Sequence, residues 1–217
     1  MSPSDSDEAV FAQIAGERRL LAETLSQLTH DQWQTPSLCG AWSVRDVAAH
    51  LVVPLVVPLW RFGATLVRAR GSFDRANELA TQRVVENHGD RLAELLVEHA
   101  DHRFTPPGHG PLAPLSDIVV HGHDIRRPLG LAYDLPDARQ VLVLDFIADS
   151  AGKAPFPALL SPYRWEATDL DWTHGDGPLV AGPAASIMLL MTGRSDALAD
   201  VAGDGVEQLT TSMATTA

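Results

Sequence analysis

The chain has 217 residues, 45% hydrophobic and 20% charged, with a formal net charge of −12 at pH 7 and a pI near 5.0. This is the balance of a soluble globular protein long enough to bury a sizeable core. Its acidity argues against nucleic acid and anionic membrane surfaces as partners, because both reward Lys and Arg.

The start, MSPSDSDEA, lacks the basic and apolar regions of a signal peptide, and the single Cys39 cannot close an intramolecular disulfide. Both point to the cytoplasm. Residues 8–29 space Val10, Phe11, Ile14, Leu21, Leu25 and Leu28 as an amphipathic helix. A turn-rich loop, HDQWQTPSLCGAW, follows. Ser43 then reads as an N-cap, with Asp46 three residues on where a capping-box acid can reach back. A second helix is predicted from about Val44 to about Arg70, kinked at Pro54 and Pro58. The stretch AAHLVVPLVVPLWRFGATLV approaches the length of a membrane span, but His50, the two prolines and Arg61 interrupt it. Residues 74–103 read as two helices divided near Gly89. TPPGHGPLAP breaks the chain, and LSDIVVHGHDIRRPLG forms another helix closed by Pro128 and Gly130. A further helix is predicted over 137–151.

The character changes after Gly152. APFPALLSP reads as a Pro-rich linker, YRWEATDLDWTHGDGPLVAG as two short strands, and PAASIMLLMTGR as a short helix led by Pro183. A last strand-and-helix fragment precedes a frayed TTSMATTA. The expected architecture is a mainly α chain: a helical bundle over 1–152 and a small α+β domain over 153–217.

The chemistry concentrates on two predicted helices. Asp117 and His121 are four apart, so a carboxylate and an imidazole share one face, and Asp124 lies near the same stripe. Ile118, Val119 and Val120 are apolar, and a buried Asp and His without partners cost several kcal/mol, roughly. His50 poses the same problem on the second helix. A buried imidazole is often a satisfied core histidine, and Asp117 with His121 can make a simple i, i+4 pair. Taken together, two imidazoles and one carboxylate converging in a bundle core make a ligand set for a divalent first-row metal, with one position left open.

These residues also carry a resemblance. Trp33, Pro36, Ser37, Trp42, Ser43, Val44, Asp46, His50 and Leu51 in LTHDQWQTPSLCGAWSVRDVAAHL fit the N-terminal signature of the mycothiol-dependent maleylpyruvate isomerase family, within the DinB/YfiT-like superfamily. Asp117, His121, Asp124, Ile125, Arg126 and Arg127 resemble its second signature, and GPLVAGPAASIMLLMTGRSDALADVAGDG resembles its appended C-terminal domain. The resemblance implies a DinB-like four-helix bundle in which His50, Asp117 and His121 hold zinc or a similar divalent ion. The family's isomerase carries Glu at the acid position. The shorter Asp117 implies a shifted metal or helix, or an intervening water.

The implied activity uses a low-molecular-weight thiol, mycothiol or similar, as cosubstrate for isomerisation or S-transfer on an electrophilic small molecule. A metal-dependent hydrolase and a non-catalytic metal- or ligand-binding stress protein are the alternatives. Asp124 would orient an imidazole, or be a plain surface acid. Arg126 or Arg127 would bind a carboxylate of substrate or thiol, or complement the helix dipole. Arg194 would close the pocket from the C-terminal part, or simply follow its helix. Cys39 reads as a small buried or loop thiol, or as one near the metal; Trp33 and Trp42 as packing the loop onto the bundle, or as lining a pocket mouth; and His123 as exposed. The chain is expected to be a monomer or a homodimer.

Overall fold

In a computed structural model the described residues are 3–150 and 161–216. The chain divides into two compact units, residues 1–132 and 133–217. The boundary expected at residue 152, and most of the Pro-rich linker, lie outside the described residues.

The first unit is helical. Helix α1 spans Pro3–Ser26, α2 His30–Trp33, α3 Val44–Val56, α4 Leu59–Arg68, α5 Phe73–His88, α6 Leu92–Glu98 and α7 Leu112–Arg126. Helix α3 is the hub, packing on α5, α6 and α7, while α1 packs on α6 and α7. The core joins Leu21 and Leu25 of α1, Val44, Val47, Val52 and Leu55 of α3, Leu92 and Leu96 of α6, and Ile118 and Ile125 of α7. Buried Arg18 of α1 donates from Nη1 to the carbonyls of Ala100 (2.9 Å) and His102 (2.7 Å), serving groups that α6 leaves open at its end.

The second predicted helix is two helices. Pro58 is the N-cap of α4, and it pushes Val57 to an extended conformation (φ −98°, ψ 111°) that ends α3. Pro54 stays inside α3, where it cannot donate to the carbonyl of His50, four residues back. No helix among the described residues is long and apolar enough to cross a membrane.

In the second unit α8 spans Asp137–Asp149, and strands β1 (Arg164–Ala167), β2 (Thr173–His174) and β3 (Leu179–Gly182) form a sheet in the order β2-β1-β3. Strand β1 pairs antiparallel with β2 and parallel with β3, with Trp165 opposite Val180, both fully buried. The sequence pattern predicts two strands here; β2 is too short to show alternation. Helix α8 packs on α9 (Ala184–Met191), and Asp145 of α8 accepts a hydrogen bond from Trp172 Nε1 at 2.8 Å. A short 3-10 helix (Ser195–Asp200) leads to α10 (Val206–Thr216). Gly203 has φ +127°, and a Cβ there would come within 2.1 Å of the Leu179 carbonyl, so only glycine fits beside β3. The expected fraying of TTSMATTA is corrected: α10 continues to Thr216, because Leu209 and Met213, one turn apart, are both buried.

Candidate metal centre

The start of α3 is fixed by its cap. Ser43 Oγ accepts from the Asp46 N–H, and the Asp46 carboxylate accepts from the Ser43 N–H at 2.9 Å, the reciprocal box that the sequence predicts. Such a cap contributes about 1 kcal/mol and sets the register of the turns that follow. His50 falls two turns in, half-buried, on a helix whose neighbouring positions 47–49 and 51–53 are buried.

Helix α7 supplies the rest. His50 Nε2 lies 3.7 Å from Asp117 Oδ1, and His121 Nε2 lies 3.5 Å from the same oxygen. One donor atom from each of the three residues lies within 4.8 Å of the other two. The two imidazoles meet edge to face, with centroids 4.9 Å apart and planes at 74°. These N···O separations exceed the usual 2.7–3.2 Å, roughly, of a direct hydrogen bond. They match the separation of about 3.4 Å between two donors bonded at about 2.1 Å to one tetrahedral ion. The donor set therefore fits a divalent cation. Asp117 Oδ1 is the atom common to both separations.

His121 is held from behind. Its Nδ1 lies 2.8 Å from Asp124 Oδ2, and Asp124 is 0% exposed. A carboxylate on the far nitrogen fixes the tautomer that presents the Nε2 lone pair. Asp124 is thus no surface acid. His50 differs: its Nδ1 is buried and has no hydrogen-bond partner among the described residues.

Burial lowers the His121 pKa, but the hydrogen bond it donates to Asp124, the neighbouring Cys39 side chain and the charges of Asp117 and Asp124 outweigh it and raise the value to about 10. The sign follows directly. In the metal-free protein this interaction stabilises the fold fully below the ordinary imidazole range and is lost as pH rises through about 10. A cation must displace that proton. Metal uptake near pH 7 is therefore expected to release about one proton, with affinity climbing about tenfold per pH unit. Calorimetry in two buffers of different ionisation enthalpy measures the released proton. A heat that does not depend on the buffer contradicts the expectation.

The other expected residues fall as follows. Arg126 is buried, with Nη2 donating to Thr24 Oγ1 of α1 at 2.9 Å. Its guanidinium braces two helices. Arg127 is the C-cap of α7. Arg194 belongs to the second unit, at the N-cap of the 3-10 helix, where Nη1 donates to the Thr192 carbonyl at 2.6 Å. His123 is corrected. It is 8% exposed, and burial, then the charge of Arg126, lowers its pKa to about 4. The reason is that α7 is a core helix: every residue from Ile118 to Arg126 is buried.

The sequence reads Cys39 as a small buried or loop thiol, with a place near the metal as the alternative, and the structure favours the alternative. The Cys39 sulfur, a His121 ring nitrogen and an Asp124 oxygen all lie within 4.8 Å of one another, a second group that shares His121 with the first. The only signal in the sequence was the presence of a thiol within a turn leading to a ligand-bearing helix.

The model of the mycothiol maleylpyruvate isomerase N-terminal domain matches residues 14–126, a stretch that lies within the first unit and ends on α7. No curated protein matches the chain. Among solved structures, the crystal structure of the mycothiol-dependent maleylpyruvate isomerase superposes with a TM-score of 0.60 at 14% identity, covering 94% of this chain and 93% of that one. At that identity the likeness shows the shared fold.

Proposed function

The chain belongs to the family of the mycothiol maleylpyruvate isomerase N-terminal domain, and from that premise we propose that it is a divalent-metal-dependent isomerase with mycothiol, or a similar small thiol, as cosubstrate. His50, Asp117 and His121 would hold the ion, zinc foremost. The observation that carries this reading is the convergence of two imidazoles and one carboxylate from α3 and α7 within 4.8 Å.

A divalent ion bound there would lower the pKa of a thiol and keep it as thiolate, the nucleophilic form. The chain's own residues do the rest. Asp117 offsets part of the cation's charge. Asp124 keeps His121 in one tautomer and one orientation. Val47, Ala48, Ile118 and Ile125 are buried in the same core, so the groups behind the centre are dry and its electrostatics are strong. The thiolate adds to one carbon of an activated cis double bond, leaving a single bond that can rotate. Expulsion of the thiolate restores the double bond as trans, so the thiol is regenerated and nothing is oxidised or reduced. S-transfer results where the thiol stays.

Maleylpyruvate mixed with mycothiol and the metal-loaded protein tests this. Conversion to the trans isomer is expected, dependent on the thiol and without its net loss. Equal turnover when thiol is omitted overturns the reading in favour of water as nucleophile.

A further inference from the structure

We infer that the loop Ser37–Trp42 is a positioning clip for the candidate metal centre, Trp42 setting the ring of His50 and Cys39 bracing the ring of His121. The inference rests on the reading that this centre holds a divalent ion.

The loop is closed on itself. The Ser37 N–H and hydroxyl both donate to the Trp42 carbonyl, at 2.9 and 2.7 Å. The Cys39 N–H donates to Ser37 Oγ at 3.1 Å, and the Trp42 N–H to the Cys39 carbonyl at 3.1 Å. Gly40 turns the chain with φ +57°, a region that favours glycine. The loop is also tied at both flanks. Val44 N–H donates to the Thr35 carbonyl at 2.9 Å, and Leu38 N–H donates to the carbonyl of Asp124 at 3.2 Å. The second bond fastens the loop to α7 at the residue that holds His121.

Each imidazole meets one side chain of this loop. The Trp42 indole lies 5.2 Å from the His50 ring at 48°. A ligating imidazole usually has its orientation fixed by a hydrogen bond from its other nitrogen, but His50 Nδ1 is buried without one among the described residues. The second torsion of a histidine is broad on its own. Packing must therefore set it, and the Trp42 indole and the His121 ring, with centroids 5.2 and 4.9 Å away, supply that packing. On the other arm, the Cys39 sulfur, a His121 ring nitrogen and an Asp124 carboxylate oxygen all lie within 4.8 Å of one another. The thiol walls in a ring that the carboxylate has already oriented, so Trp42 is the more important of the two.

The test uses the full chain loaded with cobalt(II), comparing Trp42→Phe, Trp42→Ala, Cys39→Ser and Cys39→Ala with wild type. The readouts are the ligand-field spectrum and the affinity in competition with a chromophoric chelator. Trp42→Ala is expected to weaken binding by about 10–100-fold, the scale of lost ligand support, and to shift the spectrum. Trp42→Phe, which keeps an aromatic face, restores most of both. Cys39→Ala weakens binding severalfold, roughly, and Cys39→Ser recovers it. If Trp42→Ala does not fold, Trp42→Leu keeps apolar volume without the ring and gives the same comparison.

Unchanged affinity and spectrum in the Trp42 and Cys39 variants, with wild type binding normally, overturn the clip and leave the metal reading standing. A wild-type protein that takes up no cobalt overturns both. A sulfur-to-cobalt charge-transfer band that vanishes in Cys39→Ala makes Cys39 a ligand and overturns its bracing role.

Discussion

Elemental analysis of the untagged protein is expected to find one divalent ion per chain, and none in His50→Ala or His121→Ala. The geometry makes both losses severe. Three donors from α3 and α7 share one small volume, and removing one leaves a two-donor site at which water and buffer compete on equal terms. The penalty should exceed the 10–100-fold, roughly, that a supporting group costs, because a metal–nitrogen bond is lost outright. Both variants should remain folded. His50 is half-buried; His121→Ala costs more stability, because it strips the wholly buried Asp124 carboxylate of its imidazole and leaves it to be protonated. Circular dichroism checks this. The pair of variants also separates two arrangements, since His121 belongs to both clusters but His50 only to one. A protein that keeps its metal in His50→Ala and loses it in Cys39→Ala has its ion on the Cys39, His121 and Asp124 side. Metal unchanged in both histidine variants removes the proposed centre.

What could be read from the sequence was set by local physics. Ser43 and Asp46 are three apart, and the capping box they imply fixes α3. Asp117, His121 and Asp124 obey helical spacing and stand among apolar residues whose burial demands partners for them. Pro58 disturbs a helix by chemistry alone, but the kink read there from the sequence is a break, because Val57 is driven to an extended conformation. Contacts made across the fold were not legible. The sequence predicts a helix over 137–151, where α8 lies, but not that its partner is α9 or that Asp145 meets Trp172. His123 looks like the off-face neighbour of His121, and only the packing of α7 on every side buries it. Cys39 and Trp42 reach the imidazoles because the turn at Gly40 and the bond from Leu38 to Asp124 fold the loop back onto α7. No periodicity encodes that approach.

Asp124→Ala carries the second large effect, and it acts through His121. The carboxylate is wholly buried and 2.8 Å from Nδ1. Without it the ring N–H that must accompany a metal-ready Nε2 has lost its carboxylate acceptor. Leaving such a donor unpaired costs about 1–3 kcal/mol of stability, and loss of the tautomer and orientation it enforces costs about 10–100-fold in metal affinity. A second consequence runs the other way. The Asp124 hydrogen bond is the foremost of the influences that raise His121 toward about 10, behind only the opposing effect of burial. Its removal weakens the proton as a competitor for the ring. The net loss of affinity should therefore be smaller near pH 7 than at higher pH, where little proton is bound in either protein. Asp124→Asn keeps an oxygen that can accept from Nδ1–H and loses only the charge, so its affinity should fall between the other two. Chelator competition at two pH values measures all three proteins. If Asp124→Ala binds as tightly as wild type at both, the carboxylate does not support the ring, and His121 must be held by its packing alone.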